Sequence, residues 1–184
     1  LILLFYFYVF FSYYISNNFP TRGAYRKGLD NTRWSKKGIQ ELFKSISNST
    51  GDFFSLLEKL EEKKYIFTSI ANLSEGIIEV KMKSKVDRYK SYSIFSISTN
   101  YYLEVNMREL SKMRYFKKNR TRQELLTELN NIFGGSLELS SDPMNGFIQL
   151  SFDLFENKEN SEAFFNFINN LCSRINKWEG MIKQ

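Results

Sequence analysis

Residues 77–107 read IIEVKMKSKVDRYKSYSIFSISTNYYLEVNM, and the period of this stretch decides the fold. In residues 77–83, Ile78, Val80 and Met82 alternate with Glu79, Lys81 and Lys83. In residues 101–107, Tyr101, Leu103, Val105 and Met107 alternate with Tyr102, Glu104 and Asn106. Between them SYSIFSIS, residues 91–98, is rich in β-formers but alternates less cleanly. Successive strand side chains point to opposite faces, so alternation sets one face in a core and the other in water. Three such segments predict an antiparallel meander, with Ser98-Thr99-Asn100 suited to a tight hairpin.

Working outward, the period changes from 2 to 3.6. Before the meander, Ile39, Leu42, Phe43 and Ile46 follow a candidate N-cap at Ser35, which predicts a helix over 35–47. After the break SNSTG, Phe53, Leu56, Leu57 and Leu60 share one face of a second helix. Its acids mostly precede its last lysines, as the helix dipole favours. Beyond the meander, Thr121 to Glu124 reads as a capping box opening a helix striped by Leu125, Leu126, Leu129, Ile132 and Phe133. Gly134-Gly135 supplies the stop, because glycine tolerates positive φ. SLELS (136–140) and FIQLSFDL (147–154) alternate on either side of the turn signal SDPMNG. A last helix over residues 160–178 repeats Phe164, Ile168, Leu171, Ile175 and Trp178. Its apolar residues fall on more than one side, which predicts a second buried contact. The order is α-α-β-β-β-α-β-β-α: an α+β fold, a five-stranded antiparallel sheet with helices packed on one face.

The chain has 184 residues, 42% apolar and 25% charged, enough to build one core. A single α+β domain is read over residues 35–184. With no His and one Cys, the chain can hold no Cys/His zinc site, no Ser-His-Asp triad, no His general base and no internal disulfide. No cofactor, no metal and no catalytic constellation are expected, so the reading is non-enzymatic.

Residues 1–19 form an apolar N-terminal segment and 20–34 a basic linker. LILLFYFYVFFSYYI, residues 1–15, is shorter than the roughly 20 residues of a membrane span. The flank carrying Arg22, Arg26, Lys27, Arg33, Lys36 and Lys37 fits the positive-inside side of an anchor cut at its start. A core strand or helix, or a stretch outside the real reading frame, is the equal alternative, and the absent initiator Met fits a fragment or processed chain. The expected location is cytoplasmic, tethered to a membrane's inner face in the anchor reading.

The net charge of +6 is unevenly spread. Residues 1–80 carry 10 basic and 8 acidic side chains, residues 81–122 carry 12 and 3, and residues 123–184 carry 4 and 9. The candidate anion- or partner-binding residues are Arg108, Lys112, Arg114, Lys117, Lys118, Arg120 and Arg122, with Tyr115 and Phe116 among them. Phosphate neutralisation plus aromatic stacking would suit single-stranded nucleic acid. An anionic membrane surface is served equally. A solvated loop facing the acidic C-terminal third is the preferred bland reading. Glu79-Val80-Lys81 resembles half of a metal-dependent nuclease core, with Asp52 and Glu75 as acidic partners; alternating charge on a wet strand face explains it more simply. Cys172, on the apolar face of the last helix, reads as a small buried hydrophobe. Phe164, Phe165, Phe167 and Trp178 read as core, with some surplus for a dimer face.

Residues from about 53 to 178 resemble the type III secretion chaperone-like superfamily, which includes the bacterial sensory transduction regulator proteins. The resemblance rests on a helix with a Leu-Leu-x-x-Asn-like ending, a short strand, a hairpin to a second strand, and an amphipathic helix with a late aromatic. Leu125, Leu126, Leu129, Asn130, Leu137, Leu139, Leu150 and Trp178 take those places. It implies a protein-interaction module, chaperone- or adaptor-like and commonly a homodimer, holding an extended partner segment by strand addition or pocket filling. Classical secretion chaperones are acidic, and this chain is basic. The alternative reading is a nucleic-acid-binding, nuclease-associated module using residues 108–122.

Overall fold

A computed structural model describes residues 34–71, 76–87, 89–135, 137 and 146–182. Helices α1 (Lys36–Ile46) and α2 (Thr50–Glu61) precede strands β1 (Ile66–Ala71), β2 (Ile77–Lys83), β3 (Ser91–Ser98) and β4 (Tyr102–Val105). Short helix α3 (Met107–Lys112) and the 3-10 turn Arg114–Phe116 lead to α4 (Asn119–Ile132). Strand β5 (Ile148–Ser151), the 3-10 turn Phe152–Phe155 and the long helix α5 (Lys158–Ile182) follow. The sheet is five-stranded, antiparallel throughout, in the order β1-β2-β3-β4-β5. The expected α+β class and five-stranded antiparallel sheet are therefore present.

The expected meander is β2, β3 and β4. Register places Val80 beside Phe95 and Phe95 beside Val105, so the apolar sets share one face. The uneven pattern of SYSIFSIS has a physical cause. The β2–β3 register shifts between Val80 and Lys81, where Ile94 is the extra residue, and this bulge buries Ile94 and Phe95 consecutively. Three-residue loop Thr99–Tyr101 joins β3 to β4, with Tyr101 left-handed at φ 66°. Tyr101 therefore sits in the turn, and β4 stops at Val105. There Asn106 caps α3, its Oδ1 accepting from the Glu109 amide at 2.9 Å. This turns Met107, expected to end the strand, into the first residue of a helix.

Two strands differ from expectation. β1, residues 66–71, adds to the meander: Ile66, Thr68 and Ile70 stand opposite Met82, Val80 and Ile78. The second difference lies in FIQLSFDL, which is a strand only as far as Ser151. Its next turn is 3-10, because Phe152 and Phe155, three apart, both enter the core. SLELS and SDPMNG lie almost wholly outside the described residues. Leu137 packs on the core, and the Gly146 carbonyl accepts from the Arg108 amide at 3.0 Å.

The helix ends are partly as read. Ser35 caps α1, accepting from the Gly38 amide at 3.0 Å. Gly134 and Gly135 both have positive φ. Their amides reach back to the carbonyls of Asn131 and Asn130, the paired bonds of a Schellman stop. The capping box at Thr121 is not formed. α4 begins at Asn119 with Lys118 as N-cap, and Glu124 instead accepts from Arg120 Nε at 3.0 Å.

Helices cover the apolar face of the sheet, and a single core cluster runs through helices and strands alike. Its centre is aromatic. Phe152 lies 4.4 Å from Phe43 and 4.7 Å from Phe53 between ring centroids. Phe165 reaches Phe53, and Phe164 reaches Phe95. The second buried side of α5 is met within the chain. Lys63, just after α2, donates to Asn169, and Arg174 forks onto Glu128 of α4 at 3.0 and 2.6 Å. Phe164, Phe165 and Phe167 are consequently all buried. Among the described residues no helix is long and apolar enough to cross a membrane. The segment 1–19 and nearly all of the linker 20–34 lie outside the described residues.

Candidate functional site

The loop from Ser84 to Lys90 joins β2 to β3 at the end of the sheet remote from Tyr101. It is fixed by one carboxylate. Glu179, near the end of α5, is 2% exposed. Its Oε1 accepts from Ser84 Oγ at 2.7 Å and from the Tyr92 hydroxyl at 3.3 Å, while Oε2 accepts from the Lys85 amide at 2.7 Å. Ser84 Oγ in turn accepts from the amides of Val86 and Asp87, both at 3.2 Å. A buried carboxylate needs such donors to offset lost hydration, so the loop and α5 are bound together.

Beside this latch lies a cavity of about 380 Å³. Tyr92, Met113 and Trp178 give it aromatic and apolar wall, and Lys90, Lys112 and Lys117 give it charge. Lys90 Nζ stands 5.2 Å from the Tyr92 ring centroid, a cation–π contact. Tyr115 packs on Trp178 from outside, with centroids 5.9 Å apart. Asp87 and Glu179 are the carboxylates of the lining. Glu179 is already engaged as described.

The expected basic residues do not form one surface. Lys112 and Lys117 meet at the cavity. Lys112 also pairs with Glu109 one turn back. Arg108 is exposed on the first turn of α3, and Lys118 is exposed at the N-cap of α4. Arg120 pairs with Glu124 along α4, away from the cavity lining. The Arg114 side chain lies outside the described residues.

Arg122 is turned inward, away from any binding surface. It is 7% exposed, and its guanidinium donates to the carbonyls of Phe116 and Lys117 and to Asn119 Oδ1. Those acceptors end the 3-10 turn and open α4, so Arg122 holds the chain bend from inside. Phe116 is likewise core, 1% exposed, and cannot stack on a base. Lys90 is not among the residues that the sequence singles out. The hairpin brings it to Lys112 and Lys117, and only the high basic count of residues 81–122 signalled it.

The Glu79–Lys81 pair lies on the outer sheet face, 2.7 Å apart, with Ser69 Oγ donating to Glu79 at 3.3 Å. Asp52 is exposed on α2, and Glu75 lies outside the described residues. Among the described residues, no three Asp, Glu, Cys or His side chains gather where they could hold a metal. Cys172 is fully buried, and burial pushes its thiol up to about 12, as expected for a packing residue. No family model matches the chain, and no curated protein or solved structure does.

Proposed function

We propose that the chain is a non-enzymatic protein-interaction module, chaperone- or adaptor-like, that holds an extended partner segment and works as a homodimer. The observation that carries this is the position of β1. Among the described strands it is one of the two edges and the longer of them, six residues against the four of β5, and it pairs on one side only, with β2. A strand so placed offers main-chain donors and acceptors in the spacing an added strand requires. Phe67, Ser69 and Ile70 are half-buried along it, giving side-chain relief for specificity. The resemblance to the secretion chaperone-like superfamily supports the same reading.

Selection of a random peptide library on the immobilised chain tests it, followed by hydrogen exchange with the selected peptide bound. Enrichment of extended peptides that protect β1 amides supports the module. Absence of enrichment, together with salt-steep binding of a 20-nucleotide single strand, transfers the function to nucleic acid. Light scattering after size exclusion tests the homodimer; a strict monomer at high concentration removes it.

A further inference from the structure

We infer that the cavity between the Ser84–Lys90 loop, α3 and the end of α5 takes a carboxylate side chain together with its apolar neighbour, from an acidic segment of the protein partner. This rests on the proposed interaction function and names its partner chemistry. Four observations lead to it.

The first is size: about 380 Å³ falls within the range of small ligand sites. It matches one or two side chains better than a folded surface. The second is charge. Lys90 and Lys117 have no carboxylate partner among the described residues, and Lys112 has only Glu109. Against these three ammonium groups the lining sets Asp87 and Glu179. With Lys112 matched by Glu109 no net charge is left over, and the draw on a ligand is local: the unpaired ammonium groups of Lys90 and Lys117, beside a Glu179 whose oxygens are already engaged.

The third is the wall. Trp178 and Tyr92 present amphipathic rings, and Met113 a polarisable thioether, all of which accept an apolar residue beside the acid. The fourth is rigidity. Glu179 ties α5 to the loop through two hydrogen bonds and to Tyr92 of β3 through a third, so the cavity's two sides are preset and little ordering remains for the ligand to induce. The sequence supports the same partner. Residues 81–122 carry 12 basic and 3 acidic side chains, so an approaching acidic segment is steered to this end.

The test uses a fluorescein-labelled nonapeptide with alternating acidic and aromatic residues, its Asn/Gln counterpart, and a labelled 20-nucleotide single strand. Anisotropy is read at two salt concentrations. The acidic peptide is expected to bind at least about tenfold tighter than its amide counterpart, and to weaken with salt. The double variant Lys90→Met/Lys117→Met should lose about tenfold or more in affinity at an unchanged thermal midpoint. Lys118→Met, adjacent but outside the cavity, should stay within about twofold, which separates a site from diffuse attraction.

Equal binding of the acid and amide peptides, or an unaffected double variant, overturns the inference. So does single-stranded DNA binding that exceeds the acidic peptide and vanishes in the same variant. Library-selected neutral peptides that still protect β1 in the double variant would show the module reading intact while the cavity assignment fails.

Discussion

At one end of β3 the turn Thr99–Tyr101 lies against rings; at the other, the loop Ser84–Lys90 lies against a carboxylate. Tyr101 stacks on Phe43 at 5.2 Å, and Phe43 continues into Phe152 and Phe53. Gly76, which ends the β1–β2 turn, accepts from the Thr99 amide at that same end. Gly76 is itself covered by the Trp34 ring. The opposite end holds Glu179, Tyr92, three lysines and an open cavity. The ring-packed end is held by area removed from water, which is non-directional. The latched end is held by a few directed bonds, which leaves room and charge for a ligand. One strand thus spans a structural end and a receptive end.

The comparison is most readily broken at the aromatic end. Phe53→Ala or Phe152→Ala should cost about 3–5 kcal/mol, as truncation of a fully buried ring does. Urea unfolding followed by circular dichroism reads this directly, and a loss under about 1 kcal/mol would deny that the rings carry this end.

Glu179→Ala comes next, at about 1–3 kcal/mol, because Ser84, Lys85 and Tyr92 lose an acceptor in a buried setting. Its signature is regional: amide exchange should quicken at Ser84–Lys90 well before Thr99–Tyr101. Uniform quickening would mean the two ends are not separately held.

Gly76→Ala should cost about 1–3 kcal/mol. Its φ is +53°, and an added Cβ would run into the Trp34 ring. Differential scanning calorimetry checks the loss, and unchanged stability would show that Trp34 moves aside freely.

A smaller effect appears in alkali. Burial, and then a hydrogen bond to Glu156 at 2.9 Å, raise Tyr101 above its ordinary value of 10.0. Above that pH the unfolded chain loses this proton while the folded chain keeps it. The folded state then binds more protons, so stability falls as pH rises past 10.0. Tyr101→Phe should lower the urea midpoint less steeply over that window; identical slopes would rule Tyr101 out as the cause. Smallest of all, Arg120→Ala should change stability by less than about 0.5 kcal/mol, since the side chain is 90% exposed.

Much of the ring-packed end is legible in the sequence. Alternation placed β2, β3 and β4, and the helix periods of 35–47 and 52–65 supplied Phe43 and Phe53. Ser35 and the Gly134-Gly135 stop were readable because each acts over a few neighbouring residues. β1 escaped notice because Thr68 and Ser69 interrupt its apolar run, and its pairing with β2 supplies what propensity does not. The turn at Phe152–Phe155 satisfies period 2 at Leu154 and period 3 at Phe155, and only packing chooses between them.

The receptive end was less legible. Lys112 and Lys117 were in view, but Lys90 reaches them only through the folded hairpin. Arg122 looked like its basic neighbours; nothing in its spacing tells that three acceptors surround it. Glu179 gave no signal at all, being one acid near the end of an amphipathic helix.

The chain's single cysteine makes opening of α5 measurable. Cys172 sits fully inside α5, and with its thiol pushed up to about 12 it is almost wholly protonated at neutral pH. An aromatic disulfide reagent can therefore reach a thiolate only while α5 stands away from the sheet. Labelling kinetics then count spontaneous openings of the native chain, with no denaturant present. Where reclosing outpaces labelling, the rate reports the population of the open form; where labelling outpaces reclosing, it reports the opening step itself. The residue that the sequence marked as inert is thus a clock for the helix that bears the Glu179 latch.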